Sequence, residues 1–193
     1  MKKEDQHKVL AIPVTFTDGK PKFLTVRDRR FKEWLFISGG CRKREILNPI
    51  RCALRELEEE TRGTVNIKSG VYTTFDFETD ERSPEELIED MNGGIKVNII
   101  YHVFIFFVQI NSIEQQELIR KFNREKYAVE LRKKEKLAIK RTYDENDFMS
   151  FDTLETFNRK NRWDLIVKNV INNPNFYEAL NSLNRKNFNI RTS

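Results

Sequence analysis

Gly39-Gly40-Cys41-Arg42-Lys43-Arg44-Glu45-Ile46-Leu47-Asn48-Pro49-Ile50-Arg51-Cys52-Ala53-Leu54-Arg55-Glu56-Leu57-Glu58-Glu59-Glu60-Thr61-Arg62-Gly63 is the stretch that decides how this chain reads. Two glycines end an apolar segment, a basic loop follows, and an amphipathic helix begins. Asn48 suits an N-cap and Pro49 the first helical position. Ile50, Ala53, Leu54 and Leu57 recur at i, i+3, i+4, i+7, which predicts one buried stripe. Arg62-Gly63 closes the helix. At about 100° per residue, Glu56, Glu59 and Glu60 fall within roughly 100° of arc on one flank of that stripe, and Glu58 points elsewhere.

Clustered carboxylates repel one another and raise each other's pKa unless something compensates. A hard divalent cation does so, and Mg²⁺ and Mn²⁺ favour carboxylate oxygens. Such ions serve phosphate chemistry, where they neutralise phosphate oxygens and acidify an attacking water. Arg55, beside the cluster, can hold a carboxylate by a bidentate bond. A Glu-rich run on a helix is ordinarily a solvated face. The strand, the Gly-Gly, the polar loop and the capped helix together point instead to a site.

Upstream, Val9–Phe16 and Lys22–Val26 read as strands around the turn signal Asp18-Gly19-Lys20-Pro21, a hairpin. A basic cluster, Arg27, Arg29 and Arg30, follows, and Glu33–Ile37 is a short strand ending at Ser38-Gly39-Gly40. Downstream, Thr64–Lys68 and Val71–Phe77 read as strands. Ser83-Pro84-Glu85-Glu86 opens a short helix or loop that ends at Asn92-Gly93-Gly94. Lys96–Ile110, rich in Val, Ile and Phe, reads as a central strand buried on both faces. Residues 112–141 read as a polar helix, with ten Lys or Arg and three Glu from Arg120 to Arg141. Asp147–Phe151 is a last strand. Asp152 and Glu155 have the spacing of a capping box, and Trp163–Ile171 and Pro174–Leu183, the second capped by Asn173, read as C-terminal helices. There is no repeat and no linker, so one domain over 1–193 is expected, with C-terminal helices at about 152–185.

The 193 residues carry 38% hydrophobic residues, 15 Phe and a net charge of +5. This provides a core under a charged surface and excludes a disordered chain. No run reaches the roughly 18 apolar residues of a membrane span, and Met1–Gln6 has no apolar segment behind it, so a cytoplasmic protein is expected. Cys41 and Cys52 are expected to be reduced, and with two His and no CxxC a structural zinc site is excluded. The basic balance favours polyanionic partners.

Arg55, Glu56, Leu57, Glu59 and Glu60, with Gly40 ahead of them and Cys52-Ala53-Leu54 at the small apolar positions, resemble the Nudix box: a Gly, a spaced Glu, then Arg-Glu-x-x-Glu-Glu-x-Gly. Trp34–Ser38 resembles the strand that enters it. Gly40 to Arg55 is one residue longer than the usual pattern. Glu45, the nearest candidate for the loop Glu, is then one position out of register, and the trailing Gly, expected at Arg62, appears at Gly63. The resemblance implies an α/β/α sandwich with a mixed central sheet, here with a basic helical insertion at about 112–141. It implies hydrolysis of a nucleoside diphosphate linked to another group, by a metal-activated water. Glu56, Glu59 and Glu60 would ligate Mg²⁺ or Mn²⁺, and Glu59, Glu60 and Arg55 would serve catalysis. A further acid comes from the loop before the last strand. Asp144, Glu145 and Asp147 lie there, and Glu145 is the choice.

Arg27, Gly40, Arg42 and Lys133 are the candidate substrate contacts. The basic segment at 120–141, the Arg27 cluster and the layout of the box, which looks like Nudix proteins of large DNA viruses, favour capped RNA as substrate. The alternatives are small nucleotides (nucleoside triphosphates, nucleotide sugars or dinucleoside polyphosphates) and a fold that binds nucleotide or RNA without turnover. A cap base needs an aromatic platform, for which Trp34, Phe75, Phe77 and Tyr101 are candidates, although aromatic residues at strand spacing ordinarily pack inward and each reads first as core. His102, inside the long strand, reads as a satisfied core residue.

Overall fold

β1 (Asp5–Thr17) and β2 (Lys20–Asp28) form the expected antiparallel hairpin. Its turn places Asp18 at φ 52° and Gly19 at φ 76°, left-handed at both central positions, as a two-residue hairpin turn requires. The structure, a computed structural model, describes residues 5–67, 70–82 and 97–192, the last six for backbone only. The turn and helix signals at Ser83–Glu86 and Asn92–Gly94, and the strand ends at Lys68 and Lys96, lie outside the described residues.

The segment entering the acidic helix is two strands, β3 (Trp34–Leu35) and β4 (Ile37–Gly40), and the second runs through both glycines. β5 (Tyr72–Thr79), β6 (Asn98–Phe107) and β7 (Asn146–Asp152) complete one sheet in the order β3-β2-β1-β6-β5, with β4 also on β1 and β7 also on β2. β6 runs parallel to β1 and the other pairings among the described strands are antiparallel, so the sheet is mixed. The strand expected at Thr64–Lys68 is absent over 64–67. There Thr61 ties the segment back to the end of the acidic helix, its hydroxyl accepting from the Val65 amide.

Alternation along β1 sends Leu10, Ile12 and Val14 to one face and Val9 and Ala11 to the other, and each face has its own core. The first is closed by α3 (Leu154–Asn158), α4 (Asp164–Ile166, running on as a π-turn over Val167–Ile171) and α5 (Pro174–Thr192), through Phe157, Ile166, Phe176 and Leu183. Phe36 stacks on Phe157 at 5.2 Å, and Phe176 lies 5.7 Å from Phe23. Each such ring contributes about 2 kcal/mol by leaving water. The second face is closed by α1 (Pro49–Glu60) and α2 (Ser112–Lys134). Helices on both sides of one mixed sheet make the expected α/β/α sandwich.

α2 is as polar as its sequence suggests. It buries only Gln115, Phe122 and Val129, seven residues apart on one face, and a capping box between Asn111 and Glu114 opens it. It stops at Lys134 rather than continuing to 141, because Lys136 turns left-handed at φ 57° and a 3₁₀ turn, Arg141–Asp144, follows. Asp152 is not a helix cap. Thr153 caps α3, accepting from Thr156 N, while Asp152 is buried and takes bonds from Thr25, Ser150 and Lys160. Among the described residues no helix is long and apolar enough to cross a membrane.

Candidate active site

α1 starts at Pro49 as expected, but the Asn48 side chain makes no capping bond. Its buried face is Cys52, Ala53, Glu56, Leu57 and Glu60, so two carboxylates turn inward, while Ile50 and Leu54 are only half-buried. The helix is rotated from the purely apolar stripe because its acids are compensated. Arg55 donates through Nε and Nη2 to both oxygens of Glu45 at 2.9 and 2.8 Å, and through Nη1 to Glu56 at 2.7 Å and Glu59 at 3.1 Å. Nη2 also reaches the Gly40 carbonyl at 3.1 Å. One guanidinium thus fixes three carboxylates and the end of β4. Arg42 adds a looser ion pair to Glu59 at 3.7 Å.

Glu45 is therefore part of the site. The Arg55 hydrogen bonds hold its carboxyl below the ordinary range against the cost of burial, helped by the Arg42 amide. The glycine register also changes. A Cβ at Gly39 would lie 2.0 Å from the Glu56 carboxyl carbon, whereas one at Gly40 would meet nothing within 4 Å. Gly39 is the glycine the site demands. Counted from Gly39, Glu45 falls into the family register, and the extra residues sit between Glu45 and Arg55.

This yields a paired prediction. Gly39→Ala pushes the Glu56 carboxylate off its Arg55 contact, and turnover falls on the order of tenfold to a hundredfold, since an ångström of misplacement suffices for that. Gly40→Ala leaves turnover within about twofold of wild type by the same criterion. Initial rates of the two variants under identical conditions check the assignment.

Glu60 is buried on the inward face of α1. Desolvation first, then the charges of Glu56 and Glu145, push its carboxyl well above the ordinary range. Two neutral donors, Ser38 N at 3.4 Å and Asn146 Nδ2 at 3.5 Å, oppose this. Burial likewise raises Glu56, against the pull of Arg55. An all-oxygen set crowded against itself in this way fits a hard divalent cation. Among the described residues no three such side chains are drawn together as a metal cluster, and Glu56 and Glu59 are turned to Arg55.

Of the loop acids, Asp144 is paired with Arg29 and Lys133, and Asp147 with Arg27 and Lys32. Glu145, exposed just before β7, is the one whose charge acts on Glu60. Arg27 and Lys133, read as substrate contacts, are thus also ion-pair partners of this loop. Sequence reasoning missed Gly39 and Asn146; the six-residue step from Gly39 to Glu45 was the signal for the first. His102 is satisfied at both ring nitrogens, by His7 at 3.0 Å and by exposed Asp76 at 3.2 Å, but it is partly buried rather than in the core. Of the candidate platforms, Tyr101 is buried in the first core and Trp34, Phe75 and Phe77 pack against it partly buried, in line with the core reading.

Asp147 gives a pH prediction. Burial raises its carboxyl, but hydrogen bonds from Arg27 and Lys32 outweigh this and lower it. A lowered carboxyl contributes stability that is present above the unfolded-state pKa and lost as pH falls through the folded-state value. Melting temperatures taken from about pH 6 down to about pH 3 should fall more steeply for wild type than for Asp147→Asn.

The family model described as NUDIX domain matches residues 6–124. No curated protein matches the chain. Among solved structures, the Nudix domain of Shewanella oneidensis NrtR, determined with ADP-ribose, is 10% identical with a TM-score of 0.53, over 86% of this chain and 84% of that one. A Nudix-type protein of Listeria monocytogenes is 13% identical with a TM-score of 0.54, over 94% and 95%. These two likenesses bear on the fold, and the family match, which spans well over half of the sequence and takes in Gly39, Glu45 and the whole of α1, shows that the chain belongs to the Nudix family.

Proposed function

We propose that this Nudix hydrolase cleaves the 5′ cap of RNA, releasing a methylated guanosine diphosphate and leaving a 5′-monophosphate. The observation that carries this reading is the charge beside the acids. Two carboxylates, Asp144 and Asp147, are shared by four cations, Arg29, Lys133, Arg27 and Lys32. The four cations still outnumber the three acids of this loop, Glu145 included, and they adjoin Asn146, which bonds Glu60. A positive surface reaching away from the acids suits a long polyanion.

Glu56, Glu59 and Glu60 would hold Mg²⁺ or Mn²⁺, which when bound neutralises phosphate charge and acidifies the attacking water. Water oxygen bonds to phosphorus, the bridging P–O bond breaks, and the leaving phosphate takes the electron pair. Arg55 keeps Glu45, Glu56 and Glu59 in place through the reaction, and Gly39 leaves room for the Glu56 carboxylate. Glu145, next to Glu60, receives the proton of the water.

Cap-labelled RNA incubated with Mn²⁺ should release labelled methylated guanosine diphosphate. Cleavage of nucleoside triphosphates, nucleotide sugars or dinucleoside polyphosphates, with capped RNA left whole, rejects the reading in favour of a small-nucleotide hydrolase. Tight RNA binding without turnover of any substrate favours a binding fold.

A further inference from the structure

Arg27 sits in the middle of a rung that crosses three strands. It pairs with Trp34 of β3 on one side and with Phe148 of β7 on the other. Directly opposed residues project to the same face of a sheet, so an aromatic, a guanidinium and a second aromatic emerge side by side, about 5 Å apart per strand. Phe148 is 42% exposed, unusual for a ring on a strand. The Arg27 guanidinium lies 4.4 Å from its centroid and the Lys126 ammonium, from α2, lies 4.9 Å away. Lys160 covers Trp34 in the same way at 3.5 Å.

β7 explains why Phe148 is presented. The register slips between Arg27 and Asp28, so Asp147 is an extra residue between Asn146, which pairs with Asp28, and Phe148. A bulge of this kind re-aims the side chains beside it. Asn146 faces Glu60, Asp147 takes Arg27 and Lys32, and Phe148 turns out to solvent. Phe148 is therefore about 7 Å along the strand from Asn146, which touches Glu60.

We propose that Phe148, with Arg27 and Lys126 against its ring, is a stacking platform for an unpaired base of a single-stranded nucleic acid, with the exposed side chains of Lys32 and Arg29 meeting its phosphates. Base stacking on an aromatic ring together with cations along the backbone is the general chemistry of single-strand binding. Lys126, on a flexible stem, gives up its place over the ring and follows the phosphate. The inference deepens the proposed function, and rests on it for which end of the strand lies at Glu60.

The test is fluorescence anisotropy with a labelled oligouridylate of about twelve nucleotides, uncapped and without divalent metal, so that no cleavage is involved. Wild type should bind it and prefer it to a duplex of the same length. Phe148→Ala should weaken binding about tenfold, Phe148→Trp should retain it, and Lys126→Glu should make the salt dependence shallower by roughly 0.7 in log–log slope. Thermal melts confirm that these surface variants are folded. The same measurement with oligothymidylate reads sugar preference, and Phe148 dependence on either strand supports the site. Wild-type affinity in Phe148→Ala, equal affinity for duplex, or no oligonucleotide binding by wild type overturns it. Binding with this dependence and no cap cleavage keeps the platform and rejects decapping; cap cleavage indifferent to Phe148 does the reverse.

Discussion

Glu60→Gln should lower turnover on the order of a thousandfold while raising the melting temperature of the metal-free protein. In the proposed mechanism Glu60 would be one of the carboxylates holding the ion, and removing such a group carries a cost typical of residues acting directly at the reacting centre. The stability gain has a separate origin. Glu60 is buried near Glu56 and Glu145, and its carboxyl is raised well above the ordinary range. A group raised in this way is disfavoured in its charged form, so folding at neutral pH works against it. Glutamine fills the same space and can keep both contacts, to Ser38 N and Asn146. Glu59→Gln provides the contrast. Glu59 is partly solvated and paired with Arg55 and Arg42, so its replacement should cost similar activity without a gain in stability. If Glu60→Gln melts lower than wild type and turns over normally, Glu60 is a structural residue and the catalytic assignment of α1 is wrong.

Arg55→Ala should destabilise the fold by about 3 kcal/mol, the usual result of leaving buried carboxylates without their counter-ion. Glu45 and Glu56 have side chains only 8% and 10% exposed, and both depend on this guanidinium. Lysine is a poor substitute, because a single ammonium cannot reach the two oxygens of Glu45, the oxygens of Glu56 and Glu59, and the Gly40 carbonyl together. Denaturant midpoints at constant slope measure the loss. A double variant, Arg55→Ala with Glu45→Gln, should be less destabilised than the sum of its parts, since the second change removes the charge that the first exposes. Additive losses would mean that the pair carries no coupling.

Local signals in the sequence identify the hairpin, α1, β6 and the acidic cluster, because turn chemistry and apolar periodicity act over a few residues. They misplace the inward face of α1. Periodicity counts apolar side chains, and here Glu56 and Glu60 are inside because Arg55, the glycine contact and the Asn146 bond make room for them. Gly40 and Gly39 are indistinguishable as letters; a carboxylate 17 residues later decides between them through space. The end of α1 shows the same limit. Arg62 takes φ 55° at the position where the family carries glycine, and its buried guanidinium donates to the carbonyls of Tyr143, Phe122 and Asn146 and covers the Phe122 ring. Desolvation lowers its pKa to about 10. Those long-range bonds override a backbone preference that local reading must respect. Asp152 looked like a cap because of Glu155, but a lysine eight residues on and a threonine from β2 hold it instead.

The pairing of β1 determines when during synthesis the sheet can close. On one edge β1 holds β4 at Lys8–Ala11 and β2 at Val14–Thr17; along the other it holds β6 from Asp5 to Val14. A nascent chain that ends before Phe107 has the hairpin and the acidic helix but lacks the parallel partner of its first strand, so one flank of β1 stays open as a sticky ribbon. Such non-local pairing is slow to form and aggregates readily while it waits. Ribosome-bound fragments stopped short of Phe107 should be cut by protease throughout β1, and protection should arrive in a single step once the strand ending there has cleared the exit tunnel.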